Sequence, residues 1–599
     1  MCLRCIQRII NNSESNWKGG RNEHLYEDEN PPSLNKGTVE FSNLIFHSND
    51  ICEAIESIPN GASPGPDGIS TILLKKLKSP LSRILCKILR NSIDTGDIPD
   101  ILKQALIIPI FKGGSRLEAC NYRPISLTSH IMKIFERVIR KSLVNYLECE
   151  SKFSPNQHGS RSKRSTLSQL LQHHEEILKS LEDGNNVDCV YLDFAKAYDK
   201  VDHGVLLHKL KQVGIVGPIG RWIHNFLTNR KQQVMIKGRK SKISYLKSGV
   251  PQGSVLGPLL FLIYIGDIAD NVDSEVLVYV DDSKIKKNIN QTEDVEQFQN
   301  DLDTLYIWAQ ANNMKFNGEK FLVLRYGKNQ ELKENTSYFT ENMNDVIMQV
   351  NKCRDLGIIM NDAGNFTDHI ETVCTKVRQK IGWILRTFYT RDSNFLKHMF
   401  KTLVQPIIDY CSQLWAPNKG AQLKKIEDLL RTFTRQIPNI KHMNYWDRLK
   451  WLKMNSEQRR FERYRIIYVW KMLENLVPNC GVKVKSTGRT GRTLVVPTSK
   501  SKERESSFLI QGPKLFNSLP REIKDMSGCG LEKFKEALDN FLTEIPDEPP
   551  APGLIPGACS VDALPSNSLL DQIPRSGRNP TLVENIHPCN SGILMHQDS

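Results

Sequence analysis

Two adjacent carboxylates, Asp281 and Asp282, stand between Val276-Leu277-Val278-Tyr279-Val280 and Ser283-Lys284-Ile285, two runs of strand-forming residues. β-Branched and aromatic side chains favour a pleated strand and Asp tolerates tight-turn dihedrals, so the run reads strand, turn, strand with the acids at the tip. Acids placed there face a partner rather than a core. Taken alone the pair also fits two solvated turn aspartates; a second acidic strand upstream favours the chemical reading. Val187-Asp188-Cys189-Val190-Tyr191-Leu192-Asp193-Phe194 follows a turn-like Glu182-Asp183-Gly184-Asn185-Asn186 and brings Asp193 to the end of a mostly apolar strand. A carboxylate beside Val190, Leu192 and Phe194 is costly to bury unpaired, and a divalent cation removes that cost. An exposed strand-end Asp193 is the alternative. Two hard cations roughly 3.5–4 Å apart, held by carboxylates from two strands, activate an attacking hydroxyl and stabilise a leaving oxygen in phosphoryl transfer. Asp193 and Asp281 are far apart in the chain, so only a folded sheet brings them together.

The elements around these acids are legible as patterns. Residues 105–111 read as a strand, and Leu73-Leu74-x-x-Leu77 through Ile84-Leu85-x-x-Ile88-Leu89 has helical spacing. A helix over 205–213 separates the acidic strands. The longest apolar run, 255–265, contains Gly257 and Pro258 and is too short to cross a membrane, so it reads as a buried helix start. Further helices are expected at 377–389, 396–408 and 426–437, and 446–473 alternates aromatic with basic residues, among them Arg459 and Arg460.

At 599 residues the chain exceeds one core and should form several subdomains. Its net charge of +14 points to a polyanionic partner, since lysines and arginines that neutralise phosphates release condensed counterions. The surplus is concentrated: residues 371–500 hold 26 Lys and Arg against nine Asp and Glu. Fourteen unevenly spaced cysteines and an N-terminus without a signal-peptide pattern fit a reducing compartment. Cys2-x-x-Cys5 has no second pair or nearby His to complete a zinc site. His173-His174, on a helical-looking stretch, reads as surface. Residues 1–36 are polar, and 541–599 hold nine of the 29 prolines with no periodicity, so both ends read as disordered.

Tyr191-Leu192-Asp193-Phe194-Ala195-Lys196-Ala197-Tyr198-Asp199 resembles the first palm motif of reverse transcriptases of non-LTR (LINE-type) retrotransposons. Gly249-Val250-Pro251-Gln252-Gly253-Ser254 resembles their second and Tyr279-Val280-Asp281-Asp282 their third, in family order. Flanking matches include Ser63-Pro64-Gly65-Pro66-Asp67-Gly68, Ile108-Pro109-Ile110-Phe111-Lys112-Gly113-Gly114, Asn121-Tyr122-Arg123-Pro124-Ile125-Ser126-Leu127 and Asp355-Leu356-Gly357-Ile358. Leu515-Phe516-Asn517-Ser518-Leu519-Pro520 is similar to the jockey and CR1 type. The resemblance spans about residues 40–530 and implies an α+β right-hand polymerase with a ferredoxin-like palm sheet and a helical thumb. On that frame 37–186 are fingers, 187–365 palm, 366–475 thumb and 476–545 a small extension, with a head at 1–36 and a tail at 546–599.

The resemblance implies RNA-directed DNA polymerase activity on an RNA template and DNA primer, with dNTPs and two Mg²⁺ (Mn²⁺ as a substitute), in an element ribonucleoprotein of nucleus and cytoplasm. Asp193, Asp281 and Asp282 would be the catalytic metal ligands. Tyr198 would lie under the incoming sugar and clash with a 2′-hydroxyl. Lys112 and Arg123 would contact the triphosphate, Gln252 and Gly253 the template–nucleotide pair, and Lys320 the leaving pyrophosphate. Arg161, Lys163 and Arg164 fall in a template-contacting segment, and with Arg459 and Arg460 are expected on nucleic acid. Asp199 and Asp202 read as capping or pairing groups. Two positions depart from the family pattern: Ser160 replaces a usual Phe, and Val280 a commoner Ala. No upstream endonuclease pattern is visible, so a truncated element copy or a fragment of a longer frame is expected. The competing readings are a non-catalytic nucleic-acid-binding remnant and, among enzymes, an intron maturase or RNA-directed RNA polymerase.

Overall fold

The computed structural model describes residues 40–340, 345–417, 420–485, 492–549 and 567–572. The expected disordered head and the Cys2/Cys5 pair lie outside them. The described residues form two compact units: those up to Ser165 together with Asn185–Asn351, and Thr166–Gly184 together with those from Lys352 onward. In chain order the strands are β1 (Gln104–Phe111), β2 (Tyr122–Thr128), β3 (Val187–Leu192), β4 (Lys231–Ile236), β5 (Arg239–Lys240), β6 (Ser244–Tyr245), β7 (Glu275–Tyr279), β8 (Asp282–Asn288), β9 (Leu322–Tyr326), β10 (Met348–Val350), β11 (Lys352–Asp355) and β12 (Ile358–Asn361).

The first unit holds two sheets. One runs β2-β1-β4-β5 with β6 on β4, and in it β1 is antiparallel to β2 and parallel to β4. The other runs β10-β9-β3-β8-β7. Helices between β3 and β7, and Thr292–Ala311 between β8 and β9, complete the ferredoxin-like β-α-β-β-α-β order that was expected. β3 can be the central strand because Val187, Cys189, Val190 and Leu192 are all buried. Its one buried charge, Asp188, is neutralised: Arg325 lies 2.8 Å away and the Tyr338 hydroxyl donates to it at 2.6 Å. The run 255–265 becomes the helix Gly257–Tyr264, buried on nearly every side, as its all-round apolar sequence requires. The helix His203–Gln212 starts from Asp202, whose carboxylate accepts from the Val205 amide, a capping role in line with its position.

The second unit is mainly helical, with the β11–β12 hairpin beside it. The helix Thr166–Glu182, placed among the fingers by sequence, packs here, as do residues 352–365 of the expected palm. The Glu175 carboxylate bonds the Arg504 guanidinium and the Leu509 amide. His173 and His174 are buried, contrary to the surface expected for them. A His174 ring nitrogen bonds the Gly364 carbonyl at 3.0 Å, and the ring packs on Phe366 with centroids 4.7 Å apart. Part of the expected disordered tail is ordered as well. Leu569–Gln572 forms a short helix; Ser568 and Leu569 donate to buried Glu462, and Gln572 accepts from buried Arg459. These two charges need partners, and the tail residues supply them. Among the described residues no helix is long and apolar enough to cross a membrane.

Two further buried carboxylates make this unit respond to pH. Glu427 accepts from the Tyr445 hydroxyl and the Glu457 amide, and Glu457 accepts from Gln405. Burial raises Glu427 to about 7; burial, with the charge of Glu427 adding to it, raises Glu457 to about 8. The folded state thus keeps protons that an unfolded Glu sheds near pH ~4.3, and that advantage is lost as pH rises through 7 to 8. His174 and His369, lowered to about 4 by desolvation, act in the opposite sense, and only below pH ~6.5. Lowering the pH from 9 to 6.5 is therefore expected to raise the melting temperature. Glu457→Gln should remove part of that rise; an unchanged profile in the variant would contradict the assignment.

Candidate active site

Leu192 pairs with Ser283, so Asp193 leaves the end of β3 where β8 begins at Asp282. β7 and β8 are joined by the two-residue turn Val280-Asp281, closed by the pair Tyr279 and Asp282. Antiparallel pairing thus converts two distant acidic segments into one acidic edge. Asp193 is half-buried, and Asp281 and Asp282 are exposed. The Asp281 carboxyl is raised above its ordinary value, first by desolvation against the surrounding protein and then by the charge of Asp193; Arg123 and Lys112 oppose the rise. Two carboxylates and two cations from four segments therefore share one electrostatic environment.

The cations come from the β1–β2 hairpin. Ile110 pairs with Arg123, and the Lys112 amide donates to the Asn121 carbonyl at 2.8 Å, so both side chains leave the same end of the hairpin, exposed. Lys320 arrives differently. The Ala195 amide donates to Lys315 O and the Asn317 amide to Asp193 O, while Phe194 and Phe316 stack at 4.5 Å. The 3-10 turn Gly318–Lys320 that follows sets the Lys320 ammonium 2.7 Å from Asp193 Oδ2.

The donor set fits hard cations: it is all oxygen, it converges from two strands, and its mutual repulsion is relieved by positive charge. Lys320 already supplies such a charge to Asp193. Among the described residues, no three His, Cys, Asp or Glu side chains are gathered closely enough to hold an ion by themselves.

Tyr198 stacks on Phe261, with centroids 4.7 Å apart and ring planes 14° from parallel. Burial, with the charge of Asp281 adding to it, pushes its hydroxyl up to about 12. The Tyr198 carbonyl accepts from the Val250 amide at 2.9 Å, fastening the loop after β3 to the segment that carries Gln252. Gly249 permits this approach: a Cβ there would lie 2.9 Å from the Tyr198 and Asp199 backbone. The Gln252 side-chain nitrogen donates to Asp199 Oδ1 at 3.0 Å. Its carbonyl accepts from the Ser126 amide at 2.7 Å, tying this turn to β2. Gly253 has φ +120, and a Cβ there would sit 2.6 Å from Ser126 O.

The five residues expected on nucleic acid divide. Arg161 pairs with Glu148 at 2.7 Å and donates to Ser154 O, and Arg164 donates to Pro155 O, so both brace their own loop. Lys163 is exposed. Arg459, only 1% exposed, is spent on the Leu542, Ile545 and Pro546 carbonyls and is corrected to a structural role. Arg460 is corrected likewise, being bound to Asp409 and the Tyr464 hydroxyl. Alternating basic and aromatic residues resemble a nucleic-acid surface, but on one helix they also describe guanidiniums capping internal carbonyls and acids. Sequence reading missed Phe261 as the floor beneath Tyr198, and Gln157, whose side chain reaches the Val280 amide. No spacing rule links either pair.

Residues 110–360 match the family model described as reverse transcriptase (RNA-dependent DNA polymerase). A probable RNA-directed DNA polymerase from transposon BS of Drosophila melanogaster is 27% identical over 402 residues, 65% of this chain and 44% of that protein. The RNA-directed DNA polymerase from mobile element jockey of the same organism is 26% identical over 65% of this chain and 43% of its own length. A Pol polyprotein from a type-1 retrotransposable element R2 of Popillia japonica is 25% identical over 36% of this chain and 29% of that one. The chain spans less than half the length of these relatives.

Gly253→Ala is expected to lower stability by about 1–3 kcal/mol, because the added Cβ must push Ser126 away at a backbone angle that Ala disfavours. Chemical denaturation of the variant beside the parent measures it; an unchanged midpoint would refute the close approach.

Proposed function

We propose, for a chain whose residues 110–360 form a reverse transcriptase domain of the non-LTR retrotransposon type, that this site performs RNA-directed DNA synthesis. The observation that carries the reading is the shared electrostatic environment of Asp281, Asp193, Arg123 and Lys112, with Tyr198 stacked beside it. In the reaction, a primer 3′-hydroxyl attacks the α-phosphorus of a dNTP paired to RNA, and pyrophosphate leaves. Phosphoryl transfer asks mainly for positioning and charge stabilisation, which this constellation supplies.

Lys112 and Arg123 grip triphosphate oxygens, the guanidinium by two parallel bonds where geometry allows. Asp193 and Asp281, with Asp282 beside them, would hold the divalent ions, Mg²⁺ or its substitute Mn²⁺, which when bound would supply the charge that acidifies the attacking hydroxyl and neutralises the leaving oxygens. Lys320, set on Asp193, is placed to follow the leaving pyrophosphate with a proton. Tyr198 fills the space a ribose 2′-hydroxyl needs, with Phe261 beneath it preventing retreat. RNA template, DNA primer and dNTPs are the partners this reading requires, within an element ribonucleoprotein of nucleus and cytoplasm. Lys163 is the exposed template-side cation. Loss of the acids or of the ring stack would favour a non-catalytic remnant; Asp193, Asp281 and the Tyr198–Phe261 stack are all present.

Primer extension on an RNA template with Mg²⁺ tests this. Asp281→Ala is expected to lower extension by about 100-fold or more while leaving template–primer binding within about twofold. Tyr198→Val is expected to raise NTP use relative to dNTP by about tenfold or more. Undiminished synthesis by Asp281→Ala would sink the metal assignment, and unaltered sugar choice the gate.

A further inference from the structure

The turn that presents Asp281 holds a conformation its sequence disfavours. Val280 has φ +61, in the left-handed region that Gly enters freely and a β-branched residue does not. When a two-residue hairpin turn needs positive φ at its first position, Gly is the usual occupant. The restraint on Val280 comes from far away in the chain. Residues 156–159 run beside β7: the Val278 amide donates to Asn156 O at 3.1 Å and the His158 amide to Val278 O at 2.9 Å. This pairing aims Gln157, only 4% exposed, at the turn. Its Oε1 accepts from the Val280 amide at 3.2 Å and from the Gly159 amide at 2.7 Å. Gly159 closes the other side, where a Cβ would lie 2.4 Å from Val280 Cγ2 and 2.6 Å from Val280 N.

We propose that Gln157 is a positioning residue for the polymerase reaction: its side-chain oxygen pins the Val280 amide, holds the turn in the left-handed conformation, and so fixes where Asp281 points. The proposal rests on the function proposed above. The Val280 amide lies beyond the last ladder pair of the hairpin, so its orientation is set by this bond rather than by the sheet. A carbonyl oxygen can accept from two donors at once, which lets one side chain hold the turn and its own loop together. Without it, Val280 relaxes towards negative φ, the following peptide rotates and the Asp281 carboxylate swings away. Displacements of about 1 Å are enough to cost about 100-fold in rate where positioning carries the catalysis.

The test uses the full chain, an oligonucleotide-primed RNA template, dNTPs and Mg²⁺. Gln157→Met, close in size and without the acceptor, is expected to lower kcat by about tenfold or more with the KM for template–primer unchanged. Adding Val280→Gly to Gln157→Met should recover at least about threefold of the loss, because Gly holds positive φ unaided. A residue that merely stabilised its loop would not be rescued by a change in the turn. Should Gln157→Met melt early, Gln157→Asn, whose amide falls short of the turn, takes its place in the same comparison. Wild-type kcat in the Gln157 variant, or a loss that Val280→Gly does not relieve, overturns the proposal. Absence of extension by the unaltered chain would instead fail the polymerase reading itself, and Asp281→Ala serves as the reference for complete loss.

Discussion

Repulsion between Asp193 and Asp281 is the constraint around which the first unit is arranged. The pairing of β3 with β8 brings two carboxylates of like charge into one neighbourhood, where the pKa of Asp281 is raised first by desolvation and then by the charge of Asp193. Positive charge converges there. Lys320 is carried in by a backbone splice between residues 193–195 and 315–317, and Lys112 and Arg123 by the β1–β2 hairpin. Three separate stretches thus bring positive charge to this acidic edge.

The second unit uses charge differently. Its sequence is strongly basic, yet Arg459, Arg460 and Arg463 are consumed by carbonyls and acids of the unit itself, Arg463 by a fork onto Asp539. Buried carboxylates stand among them: Glu427 and Glu462 each accept from two or more donors, and Glu457 accepts from Gln405 with Arg460 3.8 Å away. Net charge alone thus overstates the positive surface this unit offers a polyanion. Helices rich in arginine can be internal scaffolding when acids and unsatisfied carbonyls face them.

Much of this is legible in the sequence. The strand–turn–strand around Asp281 follows from β-branched residues flanking turn-tolerant acids, and the helix at 257–264 from an apolar run bounded by Gly257 and Pro258. The ordered motifs pointed to Asp193, Asp281, Lys112, Arg123 and Tyr198 as neighbours, and the structure places them within electrostatic reach. What stayed hidden depends on tertiary partners. Nothing local distinguishes the buried His174 from a surface histidine, because Gly364 and Phe366 are supplied from nearly two hundred residues away. Arg459 looked exposed because its acceptors lie on Leu531–Glu544 and the segment after it. The bond from Gln252 to Asp199 is likewise formed only by the folded loop after β3.

The helix Thr166–Glu182 also dictates an order of events during synthesis. It leaves the ribosome before β3, yet its buried Glu175 bonds Arg504, 329 residues later. At about 5–20 residues per second, that partner follows roughly 15–65 s behind. Through that interval the first unit can finish its sheet while this helix waits with an apolar face and an unpaired acid in the open. Nascent chains of this kind depend on whatever shelters such a segment until Arg504 has been made.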